Sequence, residues 1–403
     1  MPNAVIVDVI RTAGGKRNGA LSGWHPADLA ANVLKQLVER NDLDPALIDD
    51  VIMGCVMQAG AQALNIGRNA VLGAGFPETV PATTVDRQCG SSQQAAHFAA
   101  QGVIAGAYDI AIAAGVEVMS LVPMGASIGS GIGFPFGQGA MSRYADVEHI
   151  PGHKGLVGQG IGAEIIADQW GITRDDLDAF GALSQQRAAQ AADEGRFDNE
   201  IVAVEKIIRD KESGEVKPLG EQHTRDEGIR PGTTSESLGG LKPAFLPEGK
   251  ITAGNSSQIC DGASAALIMS EEKAAELGLT PRARFHTFAL AGVDPVTMLT
   301  GPIPSTRKAL DRSGLSVGDI DLFEVNEAFA SVVLAWQKEL GADMDKVNVN
   351  GGAIALGHPL GGSGTKLLAT LLNELERTGG RYGLQTMCEG GGLANATIIE
   401  RLG

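Results

Sequence analysis

The sequence predicts an α/β protein, and three observations support that prediction. Short apolar segments alternate with Ala- and Leu-rich helical patterns along most of the 403 residues. Glycine is abundant, with 55 residues, while aromatic residues make up 4% of the chain, a composition that suits closely packed backbones. A weak internal repeat relates residues 43–56 to residues 315–328. A chain of this length can bury more than one core.

The first elements follow one another as strand, helix and strand. Residues 4–10 and 50–56 have apolar strand patterns, and residues 27–40 have the spacing of an amphipathic helix. A further buried strand is predicted within residues 108–120, and a helical pattern covers residues 173–195. This order favours strands and helices packed in layers.

Residues 120–249 differ in character, with glycine clusters and a charged segment, and we predict that they form an inserted loop domain. Alternation returns afterwards, where residues 252–266 have the pattern of strand, polar turn and helix. The predicted division gives a first half of residues 1–119 and 250–270, and a second half of residues 271–403. Each copy of the repeat precedes a glycine-rich turn, so two related halves would bring those turns together near a pseudo-twofold axis.

Charge and composition exclude several classes of protein. The net charge of −16 argues against nucleic acid as a partner, because such binding faces are normally basic. No apolar run is long enough for a membrane span. The four cysteines lack paired CxxC spacing, so we expect free thiols, a cytoplasmic protein and no metal site. An anionic small ligand is still possible, since one Arg and a few backbone N–H groups can hold it.

Cys89 lies in the segment "TTVDRQCGSSQQ", where a β-branched strand end precedes Gly-Ser-Ser and a helical pattern. This places the thiol on a tight strand-to-helix turn, at a helix N-terminus that favours a thiolate. A small buried cysteine that fills a packing gap is the alternative. The glycine-flanked turn favours a nucleophile.

Three further polar residues lie on turns. His358 lies within the glycine-rich residues 351–364, and Pro359 biases it away from the helical region. Cys388 ends a strand and is followed closely by three glycines, whose N–H groups suit an oxyanion hole or a simple hairpin. Asn326 follows an apolar strand, where its amide could cap the next helix or orient a water or a carbonyl.

Together these segments resemble the thiolase superfamily. The matching segments are "QCGSS", "NEAFA", "GGAIALGHPLGGSG" and "CEGGG", together with "TAGNSSQICDGA" and "GPIPST". The resemblance covers nearly the whole chain and implies the thiolase fold, with two similar five-stranded α/β halves, central buried helices and an inserted loop domain. It also implies coenzyme A as a co-substrate, no permanently bound cofactor, and a homodimer or homotetramer.

The resemblance also implies roles for five residues. Cys89 takes the acyl group, and His358 removes its proton. Cys388 is the second acid/base and exchanges a proton with the α-carbon of acetyl-CoA. Asn326, through a water, and His358 hold the enolate oxygen, while the N–H groups of Cys89 and Gly390 hold the tetrahedral oxyanion. The glycines around His358 would be there so that a thioester can approach closely.

Positions for binding coenzyme A follow from the same resemblance. Arg230 matches a position near the adenine and the phosphates, and Ala253 and Ser257 match contacts to the pantetheine. The remaining members form acyl and pantetheine walls, and they are Met298, Ala328 and Phe329.

Some residues depart from the common pattern. Asp86 replaces an Asn, Gly158 replaces a frequent His, and "MSLVPMGASIG" replaces an "MSxAPY"-like stretch. These changes leave the acyl-chain preference open. The segment "VDRQCGSSQQA" is similar in sequence to the corresponding segment of actinobacterial thiolases, some of which act on bulky steroid side chains.

The predicted function is that of an acyl-CoA C-acyltransferase. It would cleave a 3-ketoacyl-CoA with CoA into acetyl-CoA and a shortened acyl-CoA, or run the reverse Claisen condensation, through an acyl group on Cys89. One alternative is a relative of the ketoacyl synthases, which "CEGGG" and the lack of a second suitable His oppose. Another is a catalytically silent CoA-binding protein, which the intact Cys89, His358 and Cys388 oppose. Chain length, direction and oligomer size stay open.

Overall fold

The computed structural model describes residues 3–129 and 133–403, so Met1, Pro2 and part of the predicted glycine cluster lie outside the described residues. The strands are β1 (Ala4–Thr12), β2 (Gly15–Lys16), β3 (Asp50–Gly54), β4 (Ala82–Val85), β5 (Ile110–Val118), β6 (Glu148–Ile150), β7 (His153–Lys154), β8 (Ile201–Val202), β9 (Val204–Arg209), β10 (Val216–His223), β11 (Cys260–Ser270), β12 (Ala283–Gly292), β13 (Leu322–Val325), β14 (Tyr382–Glu389) and β15 (Leu393–Arg401). The helices are α1 (Pro26–Arg40), α2 (Ile66–Gly73), α3 (Ser91–Ile104), α4 (Gln138–Tyr144), α5 (Gln159–Gln169), α6 (Arg174–Asp193), α7 (Ser235–Gly239), α8 (Glu271–Glu276), α9 (Pro302–Ser313), α10 (Ala330–Leu340), α11 (Ala353–Leu356) and α12 (Ser363–Thr378). Across these two ranges, no helix is long and apolar enough to cross a membrane.

The main sheet runs through both halves of the chain. Strands β4, β3, β5, β11 and β1 follow one another in the first half, and β12, β15, β14 and β13 continue the sheet in the second. The halves meet where Val5 and Ile6 of β1 pair with β12. In the second half, a single parallel bridge between Phe323 and Val347 occupies the position of a fifth strand.

The internal repeat is visible in the register of the strands. Asp50 pairs with Ala111 in the first half, and Leu322 pairs with Gly383 in the second, at the same separation along the chain. Strands β1 and β12 also carry a shift of register at equivalent places. The two halves therefore repeat one βαβ-based unit.

Helices α3 and α12 form the buried centre of the molecule. Gly364, near the start of α12, lies so close to the backbone of Gln93 in α3 that no Cβ atom fits there. The backbone N–H of Thr365 donates to Ser92 Oγ at 3.1 Å. The two predicted glycine-rich turns, which begin these helices, therefore meet between the halves.

The prediction of a helix at the end of residues 252–266 is wrong. This segment runs from an irregular turn into β11, in which every residue is buried. Strand β11 pairs with β1 on one side and with β5 on the other. Because helices cover both faces of a buried strand, its sequence is apolar throughout and cannot be distinguished from a buried helix by periodicity.

The inserted segment lies between Val118, where β5 ends, and Cys260, where β11 begins. It contains helices α4–α7 and strands β6–β10. Arg11 of β1 connects it to the sheet through ion pairs with Glu200 at 2.6 Å and Asp226 at 2.8 Å. The predicted domain boundaries stay a prediction, but this contact explains how the insertion is held against the first half.

We expect Arg11→Ala to destabilise the protein by about 3–5 kcal/mol, because it leaves two buried carboxylates without their cation. Urea unfolding followed by circular dichroism would measure the shift of the midpoint. Lys35→Ala is the control, since Lys35 and Glu39 form an exposed pair 3.7 Å apart. Equal midpoints for the two variants would contradict the role given to Arg11.

Candidate active site

The Cys89 turn connects β4 to α3. Gln88, just before the cysteine, has a left-handed φ of 48°, a conformation that costs energy for a residue with a side chain. Asp86 stabilises it, because Asp86 Oδ1 accepts a hydrogen bond from the backbone N–H of Gln88 at 2.7 Å. Asp86 thus supplies the acceptor that shapes the turn, and Gly90 follows as the N-cap of α3.

The environment of Cys89 opposes the thiolate. Its side chain is 5% exposed, and burial, followed by the charge of Glu389, raises the pKa of Cys89 to about 12. The prediction that the helix N-terminus favours a thiolate is therefore wrong for the free enzyme. Loss of hydration outweighs the attraction of the helix terminus. Cys89 needs a base that removes its proton as it reacts.

His358, the base that the resemblance implies, is held in a tautomer that suits this role. Its Nδ1 lies 2.5 Å from Ser363 Oγ, and Ser363 Oγ donates its one proton to the carbonyl of Pro359 at 2.8 Å. His358 Nδ1 must therefore carry a proton and donate, which leaves a lone pair on Nε2, 3.4 Å from Asn326 Nδ2. Burial, followed by the charge of Lys366, lowers the pKa of His358 to about 3, so the ring is neutral and can accept a proton.

The glycines around His358 are not cleared for a ligand, and that prediction is wrong. All of residues 351–364 are buried. Gly361 lies against the carbonyl of Gly54, and Gly362 lies against the carbonyl of Gly115. At Gly361 and Gly362 it is the backbone of the other half that approaches so closely, and these glycines let the two halves touch. Gly351 and Gly352 lie instead against Ser184 of the insertion and against Glu327.

Glu117 of β5 joins the two halves at this point. Its carboxylate accepts hydrogen bonds from the backbone N–H groups of Val56 and Met57, both at 3.0 Å, and from that of Gly361 at 2.9 Å. The first two belong to the first half, and Gly361 belongs to the turn after His358. One buried carboxylate therefore fixes the position of the histidine turn.

Glu389 is the counterpart of Glu117 in the second half. The two residues lie at the same distance after the paired residues Ala111 and Gly383. Glu389 faces Gly90, but neither of its buried oxygens has a hydrogen-bond partner. Burial, which outweighs the opposing charge of Arg87, raises the pKa of Glu389 to about 9, so this carboxyl is protonated at neutral pH.

Cys388 is fully buried on β14. Burial, followed by the charge of Cys89, raises its pKa well above the ordinary value. It packs in one cluster with Met298, Ala328 and Phe329. The carbonyl of Ala328 accepts a hydrogen bond from the N–H of Ser257 at 3.0 Å. The predicted wall residues thus belong to the same part of the core as Cys388, and Ser257 is joined to one of them.

Asn326 does not cap the following helix. The N-cap of α10 is Phe329. The side-chain oxygen of Asn326, Oδ1, is buried without a hydrogen-bond partner. The side chain is directed to His358 through its Nδ2 atom. A free buried acceptor beside a neutral imidazole is suited to holding a water, as the resemblance implies.

The outer part of the site includes the remaining predicted residues. Arg230 is exposed, and its backbone N–H donates to Gln185 Oε1 at 2.7 Å. Its loop passes beside the histidine segment, since Gly228 lies against the carbonyl of Ala355. Ala253 is exposed on the turn before β11. Their contacts with coenzyme A stay a prediction.

Sequence reasoning missed several contributors to the site. Phe245 packs edge-on against Phe329, with ring centroids 5.9 Å apart. Gln88 and Gln159 both lie against Gly390. Gln159 directly follows Gly158, which stands where the family often has a His. That difference was the feature of the sequence that could have drawn attention to Gln159. An apolar wall surrounds Cys89, and it consists of Val56, Met57, Met119, Val122, Leu360, Leu367 and Met387.

Comparisons with known proteins agree with this arrangement. The thiolase N-terminal domain family matches residues 4–272, and the thiolase C-terminal domain family matches residues 279–401. The chain belongs to the thiolase family. As a thiolase it is an acyltransferase with CoA as co-substrate. The two alternatives, a ketoacyl synthase relative and a silent CoA-binding protein, are therefore set aside.

Within the described ranges, no group of three or more His, Cys, Asp or Glu side chains could hold a metal ion.

Individual thiolases match over their full length. A steroid 3-ketoacyl-CoA thiolase of Mycobacterium tuberculosis is 50% identical over 408 aligned residues, which cover 100% of this chain and 95% of that protein. A 3-ketoacyl-CoA thiolase of Bacillus subtilis is 45% identical, with 99% of this chain and 100% of that protein covered. The crystal structure of the Bacillus anthracis acetyl-CoA acetyltransferase superposes with a TM-score of 0.88 at 39% identity, covering 100% of this chain and 99% of that one.

We expect Ser363→Ala to slow acetyl exchange between acetyl-CoA and labelled CoA. Without the Ser363 acceptor, His358 loses the contact that keeps its proton on Nδ1, and the rate should fall roughly 10- to 100-fold, part of what a positioned base supplies. Ser305→Ala is the control, because Ser305 is equally buried and also donates to a proline carbonyl, that of Pro302. An unchanged exchange rate in Ser363→Ala would show that another group orients the ring.

We expect Glu389→Gln to make the stability of this thiolase less dependent on pH. Native Glu389 keeps its proton up to a pKa of about 9, whereas the ordinary value is 4.5, so unfolding releases a proton between these values. Wild-type stability should therefore fall as pH rises through this window, by on the order of 1 kcal/mol per pH unit at most. Urea unfolding at several pH values would measure this slope.

Glu117→Gln is the matched comparison for Glu389→Gln. It replaces one of the two oxygens that accept from three buried backbone N–H groups with an amide nitrogen, which cannot accept, so it should destabilise the protein throughout the pH range. Equal behaviour of the two variants would contradict the different roles assigned to the paired carboxyls.

Proposed function

We propose that this thiolase cleaves a 3-ketoacyl-CoA with CoA, giving acetyl-CoA and a shortened acyl-CoA, or catalyses the reverse condensation. The observation that carries the proposal is the protonation pattern of the buried site. A buried, neutral His358, whose Nε2 lone pair faces Asn326 Nδ2 at 3.4 Å, belongs to the proposed site with two buried thiols whose pKa values are raised. Such a site can move protons between sulfur, nitrogen and carbon without a metal ligand set.

The proposed steps give each of the five predicted residues a part, and Cys89, Cys388 and His358 act more than once. His358 takes the proton from Cys89, whose sulfur attacks the 3-keto carbon, and the N–H groups of Cys89 and Gly390 hold the oxyanion. The bond between C2 and C3 breaks, and Cys388 gives a proton to the α-carbon of the departing enolate. Asn326, through a water, and His358 hold the enolate oxygen. The thiolate of Cys388 takes the proton of the CoA thiol, whose sulfur attacks the acyl carbon, and the bond between that carbon and the Cys89 sulfur breaks. His358 returns its proton to the Cys89 sulfur, which restores the resting site.

For the acyl group we propose a bulky apolar substrate class that includes steroid-derived side chains. Three methionines, Met57, Met119 and Met387, belong to the wall around Cys89, and unbranched thioether side chains adapt to irregular apolar shapes. The mycobacterial relative at 50% identity is named as a steroid 3-ketoacyl-CoA thiolase. The methionine-containing wall around Cys89 and the name of the mycobacterial relative both support a bulky apolar acyl group.

We further propose that CoA lies along the predicted positions, with Arg230 at the phosphates and adenine and with Ala253 and Ser257 at the pantetheine. Met298, Ala328 and Phe329, which belong to the same core cluster as Cys388, would form the inner wall. A cytoplasmic location fits the four cysteines, all of which are free thiols and buried. A homodimer or homotetramer, as the resemblance implies, completes the proposal and is tested by light scattering.

The activity is tested by the CoA-dependent loss of 3-ketoacyl-CoA absorbance. Acetoacetyl, long-chain and steroid-derived 3-ketoacyl-CoAs would be compared, and the highest kcat/KM is expected for the steroid-derived thioester. Mass spectrometry after brief incubation with acyl-CoA should find the acyl group on Cys89. Absence of CoA-dependent loss with every substrate would overturn the proposed function, and an adduct on Cys55, Cys260 or Cys388 would overturn the assignment of the nucleophile.

We expect Cys388→Ala to separate two activities. Thiolysis should fall by roughly 10²–10⁴-fold, because the enolate then lacks its proton donor. Acetyl exchange between acetyl-CoA and labelled CoA involves no carbon proton, so much of it should survive. His358→Ala should lose both activities. If folded Cys388→Ala loses exchange as completely as thiolysis, Cys388 belongs to the acylation step instead.

A further inference from the structure

Lys366 is a buried lysine that has no part in the proposed steps. It lies in the first turn of α12, three residues after Ser363, and it is 5% exposed. Its Nζ atom donates hydrogen bonds to the backbone carbonyls of Leu356 at 2.6 Å and Gly357 at 2.9 Å. These two residues directly precede His358. Lys366 therefore binds the backbone that leads into the proposed base.

The two carbonyls need a donor from outside their own segment. Leu356 is the last residue of α11, and the carbonyls at the end of a helix have no partner within it. Gly357 leaves the helix with a left-handed φ of 80°, and it lies against the sulfur of Cys260 so closely that no Cβ atom fits there. Because buried carbonyls are costly without a donor, the ammonium group of Lys366 stabilises this turn.

One turn of α12 thus holds the histidine in two ways. Ser363 contacts the ring at Nδ1, and Lys366, which lies on the same face of the helix, holds the backbone before the ring. From the other side, the backbone N–H of His358 donates to the carbonyl of Gln258 at 3.1 Å. Both the ring and the backbone of His358 are therefore fixed relative to α12.

We propose that Lys366 is a positioning residue for His358, which keeps the imidazole in place while it takes the proton of Cys89 and returns it. A displacement of about 1 Å can remove a large part of the effect of a catalytic group. The contacts of Lys366 are to backbone carbonyls, so it acts through the histidine and takes no part in the proton transfers. This inference rests on the proposed role of His358 as the base.

Lys366 belongs to the buried network that joins the insertion to β1. Burial lowers the pKa of Lys366, and the charge of Asp226 opposes that shift. Asp226 is itself bound by Arg11 at 2.8 Å. Thr370, one turn further along α12, donates to Glu200 at 2.9 Å, and Glu200 binds the same arginine. The network therefore reaches the part of α12 that holds the histidine turn.

The test measures the reactivity of Cys89 with and without His358. The rate of alkylation by iodoacetamide at neutral pH would be followed, with the modified cysteine identified by mass spectrometry. Lys366→Met should slow the alkylation of Cys89 about tenfold, because a misplaced base removes the thiol proton less effectively. In the His358→Ala background, Lys366→Met should change the rate by less than about twofold, because the lysine acts through the missing histidine.

Lys346→Met is the matched control. Lys346 also donates through Nζ to a backbone carbonyl, that of Ile320 at 3.1 Å, before β13 begins, so this variant should react like the wild type. Lys366→Gln keeps an amide that can donate to one of the two carbonyls. It should give an intermediate rate, and it takes the place of Lys366→Met if that variant does not fold.

Acetyl exchange between acetyl-CoA and labelled CoA supplies a second measurement. Lys366→Met should have a kcat about tenfold lower, with KM for CoA little changed, because its contacts are to the histidine turn. A wild-type alkylation rate in Lys366→Met, or equal slowing with and without His358, would overturn the role of Lys366. An unchanged rate in His358→Ala would instead overturn the proposed role of the base, so the two failures are distinguishable.

Discussion

The close approach of the two halves at the active site is the constraint on which the other features depend. Glu117 reaches from β5 to the N–H of Gly361 while it also holds the backbone of Val56 and Met57. Gly364 has no side chain, so α12 can lie directly against the backbone of α3 at this point. With this contact, the turn of His358 and the turn of Cys89 lie in one buried space, although they are far apart along the chain.

Burial then sets the protonation of the reacting groups. Away from water, charge is costly unless a partner compensates it, so Cys89 and Cys388 stay thiols and His358 stays neutral. A resting site without charge on these three groups suits a reaction that passes protons among them. Charge would appear only as bonds change, where the proposed donors, the backbone N–H groups of Cys89 and Gly390, would meet it.

Local sequence signals predicted the parts of the site that depend on local structure. The turn of Cys89, the irregular backbone at His358 and the end of β14 at Cys388 all follow from glycine, proline and strand patterns. Sequence reasoning did not find Glu117, Glu389 or Gln159, because their contacts join segments remote along the chain. Burial of the whole site cannot be read from any one segment, which explains why the thiolate prediction for Cys89 was wrong. The segment 252–266 was assigned to a helix because a strand covered on both faces loses its alternation.

The pairing of β1 with β11 has a consequence for biosynthesis on the ribosome. Strand β1 is made first, yet its partner β11 appears after more than half of the chain has been translated, and the turn of His358 appears later still. Until then the Cys89 thiol lacks the part of its apolar cover that Leu360, Leu367 and Met387 supply, so its pKa should lie closer to the ordinary value of about 8.5. The nascent polypeptide is therefore more open to oxidants than the finished enzyme, and docking of the second half protects its own nucleophile.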